Sequence, residues 1–270
     1  MGSKPKPYRK YRVIKEISGV KEGAAAPWFG QPGNGTQYKL PASIDDLVED
    51  GFLEPIVEKE IQTVEKALEG IITGMKSDFP PSWKFNKIAD DAFEVVDGSG
   101  NKWATVYKDK IVAPARTAVG IEGNPILNKV PLVKNIKYEV DGFIYETDEL
   151  GRVSITTADL DDIARVRLKN QQIRAVDIKD GVRGEDQGGH IIASRFFGPG
   201  EQINLYSMSA NLNQGAWEQM ESSWADEMVA GKDVKIQVDA VFNGASKRPD
   251  AFEVSYWIDG IKTKRTFINQ

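Results

Sequence analysis

The chain has 270 residues, no cysteine, one histidine and a formal net charge of −5. This composition excludes a disulfide framework and thiolate metal sites, and the negative charge excludes adhesion to nucleic acid by bulk charge alone. Hydrophobic residues at 40% and aromatic residues at 9% supply a packed core for one large or two ordinary domains. No run approaches the roughly 20 apolar residues of a membrane span, so no membrane insertion is expected.

In chain order, the start Met1-Gly2-Ser3-Lys4-Pro5 lacks the apolar core of a signal peptide. A short strand is predicted over Tyr11–Ile17, followed by a Gly/Pro-rich run from Pro27 to Tyr38. Ser43 is placed to cap a helix that carries Asp45 and Asp46 in its first turn and stops at Gly51. Ile61, Val64, Leu68, Ile72 and Met75 recur at spacings of three and four, which predicts an amphipathic helix ended by Pro80-Pro81. Phe93 and Val95, then Trp103, Thr105 and Tyr107, alternate about Asp97-Gly98-Ser99-Gly100 and predict a hairpin.

From about residue 131 the pattern becomes strand, turn, strand. Asp141-Gly142 joins Ile136–Val140 to Phe143–Tyr145, and an Asp-Gly between alternating apolar runs is a strong hairpin signal. Residues 213–230 are predicted as a helix ending at Gly231, with strands over 234–238, 252–258 and 261–267. The expected fold is α+β: an antiparallel sheet with a helix bearing part of a site, and a small N-terminal α/β segment. Three segments are expected: 8–56, a linking region 57–130 with a helix and a hairpin, and 131–270.

The chemistry-bearing residues cluster in the last segment. His190 ends the run Asp186-Gln187-Gly188-Gly189-His190. A neutral imidazole is a ready general base, and the two glycines are expected to let an anionic substrate approach the backbone. Its tautomer needs a partner, for which Asn204 or a backbone carbonyl is available. Asn213, taken alone, is a plausible helix cap, and Glu221 alone a solvated helix charge. Together they suit a hard divalent cation held by a neutral amide oxygen and water. On a regular helix they stand roughly 12 Å apart along the axis, which assigns Glu221 to a metal-bound water rather than to the same ion.

Gly189-His190, Asn204-Leu205 and Leu212-Asn213-Gln214-Gly215-Ala216-Trp217, with Glu221 beyond, resemble the signature of the DNA/RNA non-specific endonucleases. The resemblance spans about 131–270 and includes Gly198-Pro199-Gly200-Glu201 and Ser246-Lys247-Arg248-Pro249-Asp250. It is similar to the branch at the C-termini of type VII-secreted and other polymorphic bacterial toxins. It implies a ββα-metal (His-Me finger) core, His190 as general base, Asn213 as the direct ligand of Mg²⁺ (with Mn²⁺ as a substitute), and Glu221 as support for metal waters. It also implies DNA and/or RNA as substrate, a secreted or delivered toxin, and a cognate immunity protein as partner. Asp186, Asn204 and Arg248 are assigned supporting roles. The family's arginine before Gly-His is Gly188 here. Arg183, Arg195 and Arg248 are the available substitutes, and Arg195 is preferred because it follows His190 closely.

Pro27-Trp28-Phe29-Gly30-Gln31-Pro32-Gly33-Asn34-Gly35-Thr36-Gln37-Tyr38, with Leu40-Pro41-Ala42-Ser43 and Gly51-Phe52-Leu53, resembles the closing half of the tuberculosis-necrotizing-toxin NAD glycohydrolases. Gln37 matches the glutamine implicated in NAD cleavage in that family. The alternatives to a nuclease are therefore an NAD glycohydrolase acting through this segment, or a non-catalytic interaction module.

Overall fold

A computed structural model describes residues 9–24, 36–56, 58–117 and 122–270, with the backbone alone at 24 and over 58–64. The chain divides into two compact units, Met1–Lys66 and Ala67–Gln270.

In the first unit, β1 (Tyr11–Val13), β2 (Lys21–Ala24), β3 (Thr36–Lys39), α1 (Ile44–Glu49) and β4 (Leu53–Pro55) follow in order. β1 pairs antiparallel with β4, and β2 with β3. Ser43 caps α1 by accepting the Asp46 amide at 3.1 Å, and Asp45 and Asp46 occupy the first turn, as the sequence predicts. The strand expected over Tyr11–Ile17 stops at Val13. Its partner β4 begins just after the turn that ends α1 and is only three residues long.

Helix α2 (Glu58–Asp78) crosses the division, and in the second unit its Leu68, Ile72 and Met75 are buried. The side chains of Ile61 and Val64 lie outside the described residues. Then come β5 (Lys84–Ala89), β6 (Ala92–Val96), β7 (Lys102–Tyr107), β8 (Lys110–Val112), β9 (Lys137–Val140), β10 (Phe143–Thr147) and β11 (Val153–Asp159). Next are α3 (Lys169–Ile178), β12 (Asp186–His190), β13 (Leu205–Ser209), α4 (Ala210–Leu212) and α5 (Glu218–Val229). The chain finishes with β14 (Val234–Phe242), β15 (Pro249–Ile258) and β16 (Ile261–Ile268).

Ten strands form one sheet in the order β16-β15-β14-β11-β10-β9-β8-β7-β6-β5. Every pairing in it is antiparallel except β8 with β9. The fold is thus α+β with a mostly antiparallel sheet. Asp141 and Gly142 both take positive φ, 49° and 92°, as a two-residue hairpin turn requires. In the hairpin of β6 and β7, Asp97 Oδ1 accepts the amides of Ser99 and Asn101. The segment between β8 and β9 is tied down by the fully buried Glu201, which accepts from the Arg116 amide at 2.7 Å, Thr117 Oγ1 at 2.6 Å and the Asn124 amide at 3.0 Å.

The antiparallel pair β12–β13, followed by the helical segment from Ala210, makes a ββα unit. Aromatic packing fixes it to the sheet. Trp217 lies 5.3 Å from Phe252, Trp224 lies 5.5 Å from Tyr256, and Tyr206 meets Phe252 edge-on at 5.5 Å. Tyr206 also donates its hydroxyl to the Val153 carbonyl at 2.7 Å. These rings are buried, so the unit is held by apolar area rather than by local helix or strand propensity.

Candidate active site

His190 is the last residue of β12, in register with Leu205 of β13, and its side chain is buried. Burial, reinforced by the charge of Arg167, pushes its pKa from 6.5 down to about 4, so the imidazole is neutral at physiological pH. Its Nε2 has no hydrogen-bond partner in the protein. Asn204 does not fix the tautomer, contrary to the expectation from sequence. Its Oδ1 accepts from the Ile192 amide and the Tyr145 hydroxyl, and its Nδ2 donates to the Ile192 and Pro199 carbonyls. Asn204 instead fastens the loop that leaves His190.

The two glycines serve a different purpose from the one expected. A Cβ on Gly188 would lie 2.2 Å from the Gln172 carbonyl oxygen and 2.6 Å from its Cα, so the missing side chain makes room for the backbone of α3. A Cβ on Gly189 would come within 3.0 Å of Asn213 Oδ1 and of Met208 Cβ. The close approach here is by the protein's own helix and carboxamide. This also explains why no arginine stands at 188: α3 occupies the space.

The helix carrying Asn213 is not regular. Ser209 caps α4 by accepting the Leu212 amide, and Asn213–Trp217 then form a π-helical turn with a break at Gly215 (φ −112°, ψ −105°). Ser209, not Asn213, is therefore the N-cap, and Asn213 closes α4 at its C-terminal end. Its Nδ2 donates to Gln187 Oε1 at 2.8 Å, which turns Oδ1 toward Gly189. π-helical turns inside α-helices are frequent at functional sites.

Trp217 anchors the far end of that turn in the core and donates its indole N–H to Glu221 Oε1 at 3.0 Å. Burial raises the Glu221 pKa from 4.5 to about 7, against the lowering effect of this hydrogen bond and of Arg167 and Arg195. His190, Asn213, Glu221 and Arg195 line one cleft of about 260 Å³, with Arg167 and Gln187 on its wall. Among the described residues no group of three His, Cys, Asp or Glu side chains forms a ready metal site.

The remaining expected residues lie off this cleft. Arg248 is paired with Asp186 through two contacts, Nε to Oδ2 at 2.7 Å and Nη2 to Oδ1 at 2.9 Å, and also donates to the Asn269 carbonyl. Burial opposes the Asp186 charge, but Arg248 and the Val182 amide outweigh it and hold the carboxyl below its ordinary pKa. Arg183 is exposed and pairs with Asp177. Three contributors to the cleft escape sequence reasoning. Gln187 sits inside the motif but carries no titratable group. Trp217 reads as core. Arg167 lies in the loop before α3, far from any motif.

In the first unit Gln37 lies on β3, exposed and opposite Gly23 of β2. The Pro27–Gly35 part of that run lies outside the described residues.

Residues 134–260 match the model of the DNA/RNA non-specific endonuclease family, and residues 1–56 that of the tuberculosis necrotizing toxin. The type VII secretion system protein EssD of Staphylococcus aureus (strain USA300) is 32% identical over 146 residues, 52% of this chain and 24% of that protein. Its counterpart in strain NCTC 8325 matches equally. The conidial surface nicotinamide adenine dinucleotide glycohydrolase nadA of Aspergillus fumigatus is 42% identical over 59 residues, 22% of this chain and 25% of that protein. The chain thus spans about a quarter of the length of these curated relatives. Residues 134–260, a little under half of the chain, are thus similar to the DNA/RNA non-specific endonuclease family.

Proposed function

We propose that this chain is the effector end of a secreted bacterial toxin, a metal-dependent endonuclease that hydrolyses DNA and/or RNA phosphodiester bonds with little sequence preference. The observation that carries the reading is the convergence of His190, Asn213, Glu221 and Arg195 on one cleft. The nuclease chemistry is assigned to 131–270, with 57–130 as its companion and 8–56 as a necrotizing-toxin-like segment.

His190 is the general base. It lines the cleft, it is neutral, and its Nε2, shielded from solvent, has no hydrogen-bond partner among the described residues, which leaves that nitrogen for a proton of the attacking water. The residues fit a hard divalent cation. Asn213 Oδ1 is a neutral oxygen donor, oriented because its Nδ2 is engaged by Gln187. Glu221, in the first turn of α5 beyond the π-helical turn, would hold a water of that cation. With so few protein donors, the ion of choice is one that keeps much of its hydration, Mg²⁺ or the similar Mn²⁺. Bound there, such an ion offsets charge on the phosphate and the departing oxygen. Arg195 lines the cleft as an electrostatic partner of the phosphate. The relatives' place in a type VII secretion system supports export by that route, and a toxin of this kind calls for a cognate immunity protein in its producer.

The test is digestion of supercoiled plasmid and of ribosomal RNA by the purified chain, with and without EDTA. Degradation that EDTA abolishes is the expected result; chelator-resistant degradation, or none of either substrate, counts against it. A second reading, NAD glycohydrolysis through the first unit, is favoured only by the matches over residues 1–56 and to nadA. Loss of fluorescence from an etheno-NAD analogue that depends on Gln37 would support it.

A further inference from the structure

Resting on the nuclease reading of the cleft, we propose that Arg167 takes the place of the motif arginine and binds the scissile phosphate through its two terminal guanidinium nitrogens. The position before Gly-His is closed to a long side chain, because α3 packs its backbone against Gly188. The loop that leads into α3 brings a guanidinium back to the same cleft.

That loop is held at two points. The Arg165 amide donates to the Ser194 carbonyl at 2.7 Å, and Arg167 Nε donates to Ser194 Oγ at 2.9 Å. The Arg165 side chain is itself fixed, paired with Asp141 at 2.8 Å and stacked 3.7 Å from the Phe197 ring. Because Arg167 is anchored through Nε, Nη1 and Nη2 remain for a bidentate contact. No ion pair among the described residues competes for them. A fork so oriented matches two phosphate oxygens.

The other arginines are less well placed. Arg248 and Arg183 are committed to Asp186 and Asp177. Arg195 shares the cleft, but its guanidinium lies over the Phe196 ring at 5.4 Å and no hydrogen bond among the described residues orients its fork, whereas Ser194 holds Arg167 through Nε. Arg195 is then left for a neighbouring phosphate along the strand.

The experiment compares Arg167→Ala, Arg167→Gln, Arg167→Lys, Arg195→Ala and His190→Ala of the full chain. It measures kcat/KM on a fluorogenic oligonucleotide, and anisotropy of a short labelled oligonucleotide in EDTA. Thermal melts check folding. Arg167→Ala and Arg167→Gln are expected to lower kcat/KM about 10²-fold, more than Arg195→Ala does. Arg167→Lys should restore little, and added guanidinium should partly rescue Arg167→Ala. Metal-free binding should weaken in both neutral variants. The proposal is overturned if Arg167→Ala cleaves like the parent while His190→Ala is dead, an outcome that leaves the nuclease reading standing. A loss in Arg195→Ala exceeding that in Arg167→Ala overturns it as well. If the parent and His190→Ala cleave alike, the nuclease reading falls. Anisotropy then decides alone whether Arg167 holds phosphate, and unchanged binding rejects it.

Discussion

Asn213 Nδ2 donates to Gln187 Oε1 at 2.8 Å, so a residue three places before the end of a glycine-rich strand decides which way a carboxamide on a separate helix faces. Partners of this sort commonly alter metal affinity by about 10–100-fold when removed. Gln187→Leu should raise the metal concentration for half-maximal cleavage by about that factor while thermal stability stays near the parent value. A metal titration of cleavage checks it, and an unshifted midpoint would separate Gln187 from the ligand.

Gly188 and Gly189 should respond differently to the same added methyl. Gly188→Ala drives a Cβ against the backbone of α3, and overpacking of this kind costs about 1–3 kcal/mol or more. A lower Tm is expected. Gly189→Ala meets the Asn213 carboxamide and the flexible Met208 side chain, so its loss should fall on activity more than on Tm. Melting curves beside cleavage rates distinguish the two; equal Tm values for both variants would contradict the packing account.

These glycines also show how much was legible in the sequence. The hairpins of β9 and β10 and of β15 and β16 could be read because Asp141-Gly142 and Asp259-Gly260 interrupt alternating apolar runs. Helix α3 could not: it buries Gln171 and Ala175 among its own residues and has no side-chain cap, so neither apolar period nor start signal marks it. β12 is Asp-Gln-Gly-Gly-His, poor in strand formers, and exists because β13 pairs with it. His190, Asn213 and Glu221 were recognisable from order and spacing. Arg167 and the partners of Asn204 depend on tertiary placement that no local pattern carries.

Activity should rise as pH increases through about 7 at limiting metal. His190 is already neutral there, its pKa having been pushed down to about 4, whereas Glu221 ionises near 7. A cation that favours the carboxylate lowers that pKa, so the rising limb should move to lower pH as metal is added. Trp217→Phe removes a hydrogen bond that favours the carboxylate and should move the limb upward. pH–rate profiles at several metal concentrations check this; a limb fixed in position in every case would contradict it.

The same two groups make opposite demands on stability. The Glu221 pKa is raised on folding, so its contribution is complete below 4.5 and is lost as pH rises through about 7. The His190 pKa is depressed, so its contribution is complete above 6.5 and is lost as pH falls through about 4. Glu221→Gln should therefore gain stability relative to the parent between pH 5 and 8, by about 3 kcal/mol across the full window. Denaturant titrations at several pH values measure it, and a pH-independent difference would refute the buried-carboxyl account.

Arg248 is expected to act on the fold and not on phosphate. Arg248→Ala leaves the Asp186 carboxylate buried without its partner, which costs about 3–5 kcal/mol. Specific activity per folded molecule should stay within a few-fold of the parent. Activity lost in full with Tm unchanged would return Arg248 to the substrate.

The most direct measurement is digestion of plasmid DNA and total RNA by purified His190→Ala and Asn213→Ala proteins whose melting curves match the parent. Both variants should leave the substrates intact under conditions where the parent, supplied with Mg²⁺, degrades them. Undiminished digestion by His190→Ala would contradict the central claim that this imidazole prepares the attacking water.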